Sequence, residues 1–178
     1  VNDTACPKLS GPGISLEPLV GAHAETLFGL LNDEDVSRYD DGPVCSTIAE
    51  LEDRFRFLEK RQSPDGTMLW LNWAIAVPDQ GLAGYVQATV APDRRSADVA
   101  YVLGKRFWSR GHASAAVRLM LAHLASALSV ETAHATIDER NEASIRLARR
   151  LGFELADASD SRNLRFSLTL SSPAERRN

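Results

Sequence analysis

Three strand-like runs follow one another with no helix between them, over residues 68–77, 82–91 and 96–103, and the turn sequences PDQG and PDRR separate them. Proline presets φ, aspartate bonds the backbone just beyond itself and glycine accepts positive φ, so each linker favours a tight reversal. The spacing predicts an antiparallel meander. A doubly wound parallel sheet, which needs a crossover helix after every strand, does not fit that stretch.

The flanks complete the pattern. Residues 14–19 alternate as a half-buried strand, and residues 22–31 have helical spacing. An acidic, turn-rich stretch follows over 32–43 (NDEDVSRYDDGP). Thr47 with Glu50 three residues later then has the form of a capping box, opening a helix to about Gln62 whose apolar stripe is Ile48, Leu51, Phe55 and Leu58. After the meander, residues 111–128 return to helical spacing, with Ala115, Leu119, Ala122 and Leu124 among the expected buried positions. Residues 132–137 read as a strand, 142–151 as a helix closed by Gly152, and 153–156 and 164–170 as two last strands. The fold class expected is mixed α/β of α+β character, with about six to seven mainly antiparallel strands and about four helices. Proline and glycine ahead of Ile14 predict a flexible arm over 1–13. The ending SSPAERRN predicts a flexible tail over 171–178, leaving one domain over 14–170.

Composition narrows the partners. With 20 Lys and Arg against 24 Asp and Glu, the net charge of −4 disfavours a protein whose affinity rests on neutralising nucleic-acid phosphates. No apolar run approaches the roughly 18 residues needed to cross a bilayer, and the first residues carry no basic and apolar leader, so neither a membrane nor a secretory role is expected. Two cysteines, Cys6 and Cys45, suit neither a disulfide framework nor a thiolate metal site. A reducing, cytoplasmic compartment and no metal are expected.

Chemistry concentrates in YVLGKRFWSRGHASAAVRLML, where a strand ends at Leu103 and a helix begins near Gly111 after a short basic loop. The first turn of a helix offers unpaired N–H groups and a partial positive charge. Gly111, Ala113 and Ser114 are small enough for an anion to reach them, and Lys105, Arg106 and Arg110 add charge. A strand-to-helix junction can also carry such residues without binding anything. Competing phosphate motifs fail, because Gly11 and Gly13 precede no βα turn and no G-x-x-x-x-G-K-[ST] string occurs.

At these residues the chain resembles the GNAT family of N-acetyltransferases, and within it the ribosomal-protein N-terminal (RimJ/RimL-like) subgroup. Trp108-Ser109-Arg110-Gly111-His112-Ala113 resembles the family's pyrophosphate loop, Q/R-x-x-G-x-G/A, with Trp in first place as is familiar in that subgroup. Asn141-Glu142-Ala143-Ser144-Ile145 through Gly152-Phe153 resembles its N-x-x-S/A helix ending in G-F. Ala83 to Val86, Ala97 to Tyr101 and Val36 to Tyr39 add to the likeness, which spans residues 14–170. The resemblance implies a GNAT-like fold whose central sheet splays at a site for acetyl-CoA. The backbone of Val102 and Leu103 would pair with the pantetheine arm, the N–H groups of Ser109, Arg110, Gly111, His112, Ala113 and Ser114 would hold the pyrophosphate, and Asn141 would bind the arm from the other side. Asn141 can equally serve as the N-cap of its helix.

Acetyl transfer requires a neutral amine and a stabilised departing thiolate. Many family members place a tyrosine near the sulfur on the last helix, but the matching position here is Ala148, which leaves Ser144 one turn earlier as the candidate acid; a serine so close to a cap can instead simply bond the backbone. For the base the resemblance points to Asp98, where related enzymes often place a glutamate. An exposed position on an alternating strand is the other reading. His112 and His134 are alternatives, as a phosphate-loop contact and a strand surface residue. Neither cysteine lies in a motif, so direct transfer in a ternary complex is expected. The expected acceptor is a primary amine, a peptide N-terminus or a small polyamine-like molecule, and the carboxylates of Asp33, Glu34, Asp35, Asp40 and Asp41 would favour a cationic one. A non-catalytic CoA-binding module and a small-molecule (antibiotic) acetyltransferase are the alternatives. Edge pairing through the last strands would allow a homodimer.

Overall fold

The two turn sequences reverse the chain as their residues favour. Asp79 and Arg94 take φ of 61° and 58°, joining β3 (Leu69–Val77), β4 (Gly81–Val90) and β5 (Ser96–Leu103) into the expected antiparallel meander. The computed structural model describes residues 5–39, 45–160 and 162–170. In it one sheet of eight strands has the order β1-β2-β3-β4-β5-β6-β8-β7. β1 (Leu9–Gly11) and β2 (Ile14–Pro18) add a hairpin beside β3, while β6 (Thr132–Asp138), β8 (Asn163–Thr169) and β7 (Glu154–Asp157) extend the other side. All neighbours are antiparallel except β5 and β6. β7 forms the outer edge and is exposed along its whole length.

Residues 5–13 correct the expectation of a flexible arm. Cys6 is buried, the Trp73 indole N–H donates to the Pro7 carbonyl at 2.8 Å, and Nε2 of His123 lies 2.9 Å from the Ala5 carbonyl oxygen. Two buried rings with polar edges need partners, and this segment's carbonyls supply them. The tail over 171–178 lies outside the described residues.

Alternation along the strands separates two apolar layers. α1 (Ala24–Leu31) and α3 (Ile48–Leu58) bury Ala24, Leu27, Leu51 and Phe55 with Leu19 and Ala74 on one face. α4 (His112–Leu128) and α5 (Glu142–Leu151) cover the other, where Trp73, Ile75, Val86, Ala88, Ala97, Ala133 and Phe166 form the larger core. A four-residue α2 (Glu34–Ser37), capped by Asp33, appears in the acidic stretch, making five helices among the described residues. Thr47 Oγ1 accepts from the Glu50 N–H at 3.2 Å, while the Glu50 carboxylate accepts from the Ser46 N–H at 2.7 Å, so the reciprocal bond is displaced by one residue. That helix stops at Leu58 rather than Gln62, because Arg61 turns to φ 54°. In α4 the buried stripe is Ala116, Val117, Met120, Leu121 and Leu124, with Ala122 exposed. The stripe is rotated from expectation because His123, edge-on to Trp73 at 5.9 Å, is part of the core. Among the described residues no helix is long and apolar enough to cross a membrane.

Candidate active site

β5 and β6 are parallel neighbours for only three register pairs, Ser96↔Thr132, Ala97↔Ala133 and Asp98↔His134. Beyond them the strands diverge, and their facing peptide groups have no ladder partner in each other. A cavity of about 660 Å³ opens there, lined from β5 by residues 99–103, from β6 by residues 135–138, and from the α4 and α5 side by Ala113, Asn141, Ala143, Ser144 and Leu147. Through the wedge it continues to the α1–α3 side, where Asp35, Val36, Arg38, Tyr39, Arg54, Tyr85 and Gln87 line it. It therefore connects both faces of the sheet, as two molecules meeting at one reaction centre require.

The end of β5 is fixed in place by β4. A register shift leaves Ala83 as the extra residue opposite Ile75 and Ala76, and its carbonyl accepts the Gly104 N–H at 2.9 Å. The loop that follows is held by Trp108, whose indole N–H donates to the Leu103 carbonyl at 2.7 Å. Ser109 and Gly111 both take positive φ, 59° and 83°, which turns the chain into α4. The N–H groups of His112, Ala113 and Ser114, in the first turn, have no partner within the helix. His112 adds a ring nitrogen, Nε2, that is buried without a hydrogen-bond partner among the described residues, with the ring edge-on to Phe107 at 6.2 Å.

The basic side chains are less available than the sequence suggested. Lys105 bonds the Asp35 carboxylate at 2.5 Å, the Arg106 guanidinium lies over the Phe107 ring at 4.7 Å, and Arg110 donates to Gln80 at 3.1 Å. Backbone N–H groups of the first turn are thus less engaged than the basic side chains at this junction. Of the nine positions expected to hold the cofactor, Val102, Leu103, Ala113 and Asn141 line the cavity. Ser109, Arg110, Gly111, His112 and Ser114 adjoin it in the same loop and first turn, outside the cavity lining.

Asn141 is the N-cap of α5, its Oδ1 accepting from the Ser144 N–H at 3.1 Å. Ser144 belongs to the cavity wall, and Ala148, one turn on, is buried. Tyr101 reaches the same turn from β5, its hydroxyl donating to the Ser144 carbonyl at 3.4 Å, and burial pushes its pKa up from the ordinary tyrosine value.

Asp98 is not brought to the cavity. Its side chain is 59% exposed and paired with the Arg165 guanidinium at 3.1 Å, as the exposed position on an alternating strand would have it. Asp98 shares a face with Ala100 and Val102, which do line the cavity, but it sits at the last β5–β6 pair, where the strands have not yet parted. His134, beside it in register, has a buried Nδ1 with no hydrogen-bond partner among the described residues, unlike a plain surface residue.

The carboxylates that do line the cavity are already paired. Asp138 accepts from the side chain and backbone of Arg140, which hold its carboxyl down to about 2, and the Arg140 guanidinium also lies over the Tyr39 ring at 5.8 Å. Asp35 is lowered mainly by its bond to Lys105, with Arg38 adding to it. Asp33 caps α2. The acidic segment is therefore partly neutralised where it is described; Asp40 and Asp41 lie outside the described residues. Tyr39, Gln87, Tyr101 and Asp138 were not anticipated as site residues. For Tyr101 the signal was its parity, an aromatic two positions from each of Val99 and Leu103 at the end of a strand that leads into the glycine turn ahead of α4.

Comparison with known proteins agrees with this geometry. Residues 14–154 match the family profile described as the acetyltransferase (GNAT) domain. No curated protein sequence matches the chain significantly. Among solved structures, the ribosomal L7/L12 α-N-protein acetyltransferase RimL in complex with coenzyme A superposes with a TM-score of 0.78 at 16% identity, over 92% of this chain and 98% of that one. Spermidine N-acetyltransferase from Vibrio cholerae, in complex with CoA and spermine, gives 0.74 at 15% identity over 90% and 97%. The Microcin C7 self-immunity acetyltransferase MccE, in complex with acetyl-CoA and AMP, gives 0.75 at 17% over 89% and 93%. At such identities the likeness is one of fold.

Proposed function

Because the chain belongs to the GNAT acetyltransferase family, we propose that it transfers the acetyl group of acetyl-CoA directly to a primary amine, with donor and acceptor meeting in the β5–β6 wedge. The observation that carries this reading is the wedge itself, a gap between two strand edges that runs from the first turn of α4 through the sheet to the opposite face. Its residues fit the co-substrate: unladdered peptide groups match an amide-bearing arm, and the buried Nε2 of His112, without a hydrogen-bond partner among the described residues, belongs to the first turn of α4. Acetyl-CoA supplies an acetyl group activated as a thioester. Ser109 through Ser114 would hold the pyrophosphate with backbone donors. The Val102 carbonyl faces Gly84 of β4 and the Leu103 carbonyl is taken by Trp108, so the Leu103 N–H and the peptide groups of Tyr101, on the β6 side of β5, would pair with the arm. Asn141, whose oxygen caps α5, would offer its amide N–H from the other side.

The last assignment separates two roles. Asn141→Asp keeps an N-cap oxygen but removes the amide donor. CoA affinity is expected to fall about tenfold, the worth of one good hydrogen bond, with the melting temperature unchanged. Equal affinity by calorimetry would reduce Asn141 to a cap.

With Asp98 outside the cavity and Asp35 and Asp138 paired, the amine's proton is proposed to leave to solvent. Turnover should then rise with pH up to the acceptor's own ionisation, and Asp98→Asn should change kcat/KM by less than about threefold. A lost or displaced pH profile in that variant would restore Asp98 as the base.

The acceptor is proposed to be a peptide N-terminus or a small polyamine-like amine. Fold neighbours named for a ribosomal protein and for spermidine support that class. The paired Asp33 and Asp35 give little support to a requirement for additional positive charge. A cytoplasmic setting belongs to the same proposal and rests on a sequence with only two cysteines, Cys6 and Cys45, too few for a disulfide framework. Incubation with acetyl-CoA and a panel of peptide, polyamine and aminoglycoside amines should release free thiol in step with a mass gain of ~42 Da on one acceptor, as an acetyl group replaces a hydrogen. CoA binding with no thiol release for any amine would favour a non-catalytic CoA-binding module.

A further inference from the structure

Tyr101 lies three residues beyond the last β5–β6 pair. Alternation puts it on the same face as Val99 and Leu103, toward the α4–α5 layer, and its ring lines the cavity. Its hydroxyl ends 3.4 Å from the Ser144 carbonyl in the first turn of α5. The side chain therefore spans the wedge from β5 to α5. A bond of that length to a carbonyl is a weak one and can be redirected at little cost. The α5 residues offer less: Ala148 has no hydroxyl, and the turn carrying Ser144 is fixed by the Asn141 cap.

We propose that the Tyr101 hydroxyl, reaching across the wedge, is the hydrogen-bond donor that stabilises the sulfur of the departing thiolate. The assignment rests on the acetyl-transfer reading above. As the acceptor nitrogen forms its C–N bond, the C–S bond breaks with the electron pair on sulfur. Tyr101 keeps its proton and lends only the hydrogen bond, and the proton released by the nitrogen goes to solvent. Burial supports this division of labour, because it keeps the phenol protonated through neutral and mildly alkaline pH.

The test needs no acceptor. CoA itself is bound to the wild type, to Tyr101→Phe and to Ser144→Ala, and the thiolate absorbance of the bound CoA is followed against pH. A donor aimed at sulfur favours the thiolate, so the bound thiol in the wild type should titrate about one unit below free CoA. Helix ends contribute equally in all three proteins, so the difference between them isolates the side chain. Tyr101→Phe should lose most of the shift while binding CoA within about threefold of wild type, and Ser144→Ala should retain it. Retention of the shift in Tyr101→Phe, or its loss in Ser144→Ala alone, overturns the proposal. A folded wild type that does not bind CoA in calorimetry overturns the acetyl-transfer reading instead, before any titration is made.

Discussion

Gly84→Ala should cost about 3 kcal/mol or more, because the added methyl has nowhere to go. A Cβ at this position would stand 2.0 Å from the Val102 carbonyl oxygen and 2.8 Å from the Leu103 Cα, both backbone atoms of β5, and the glycine holds φ at 152°. No flexible side chain can move aside; β4 and β5 would have to part. At this chain length each kcal/mol lowers Tm by roughly 2–4 °C, so a fall of about 6–12 °C is expected in thermal denaturation. Gly29→Ala is the matched control. It lies in α1 with open space around the new methyl, and alanine should raise stability by about 0.5–1 kcal/mol there. Wild-type melting in Gly84→Ala would mean that β5 is not held against β4 as described. The link to function is direct, since Val102 and Leu103 also line the cavity.

Gly111→Asp should weaken CoA binding at least a hundredfold. Gly111 is the N-cap of α4 at φ 83°, exposed, and a Cβ added there would meet nothing within 4 Å. Aspartate tolerates the left-handed region better than most residues, at about 1–2 kcal/mol, so the protein should remain folded. A carboxylate roughly 5 Å from a diphosphate charge, at an effective dielectric near 20, is repelled by about 3 kcal/mol, which is about two orders of magnitude in affinity. Gly111→Asn separates charge from shape, because it brings the same backbone strain and a similar volume without the charge. Calorimetry should find its affinity within about tenfold of wild type. Equal binding by Gly111→Asp and wild type would move the pyrophosphate site away from this turn.

Local signals carried the meander, the strand-to-helix turn ahead of α4 and the caps, because each depends on residues within a few positions of one another. Thr47 and Asn141 cap where their spacing said they would. Non-local partners were not legible. Residues 5–13 looked like an arm because the groups that hold them, Trp73 and His123, are 66 and 118 residues away along the chain. The wedge was legible only through family resemblance, since no periodicity says which strands become neighbours. Asp98 shows the limit of alternation: it shares a face with Ala100 and Val102, which line the cavity, but it lies at the last β5–β6 pair, and no periodicity says where the two strands part. Pairing of Asp35 with Lys105, 70 residues apart, likewise removes both a steering charge and a phosphate-binding cation that read as independent in the sequence.

Amide hydrogen exchange of the wild-type protein, with and without saturating acetyl-CoA, tests the wedge most directly. Peptide groups that lack a strand partner exchange readily and become protected when a ligand pairs with them. Peptides covering 99–103 and 109–114 should slow markedly on addition of acetyl-CoA, while those of the β1–β2 hairpin, at the far side of the sheet, should not change. Protection absent from 99–103 and 109–114 at saturation, or confined to another part of the sheet, would contradict the placement of acetyl-CoA between β5 and β6.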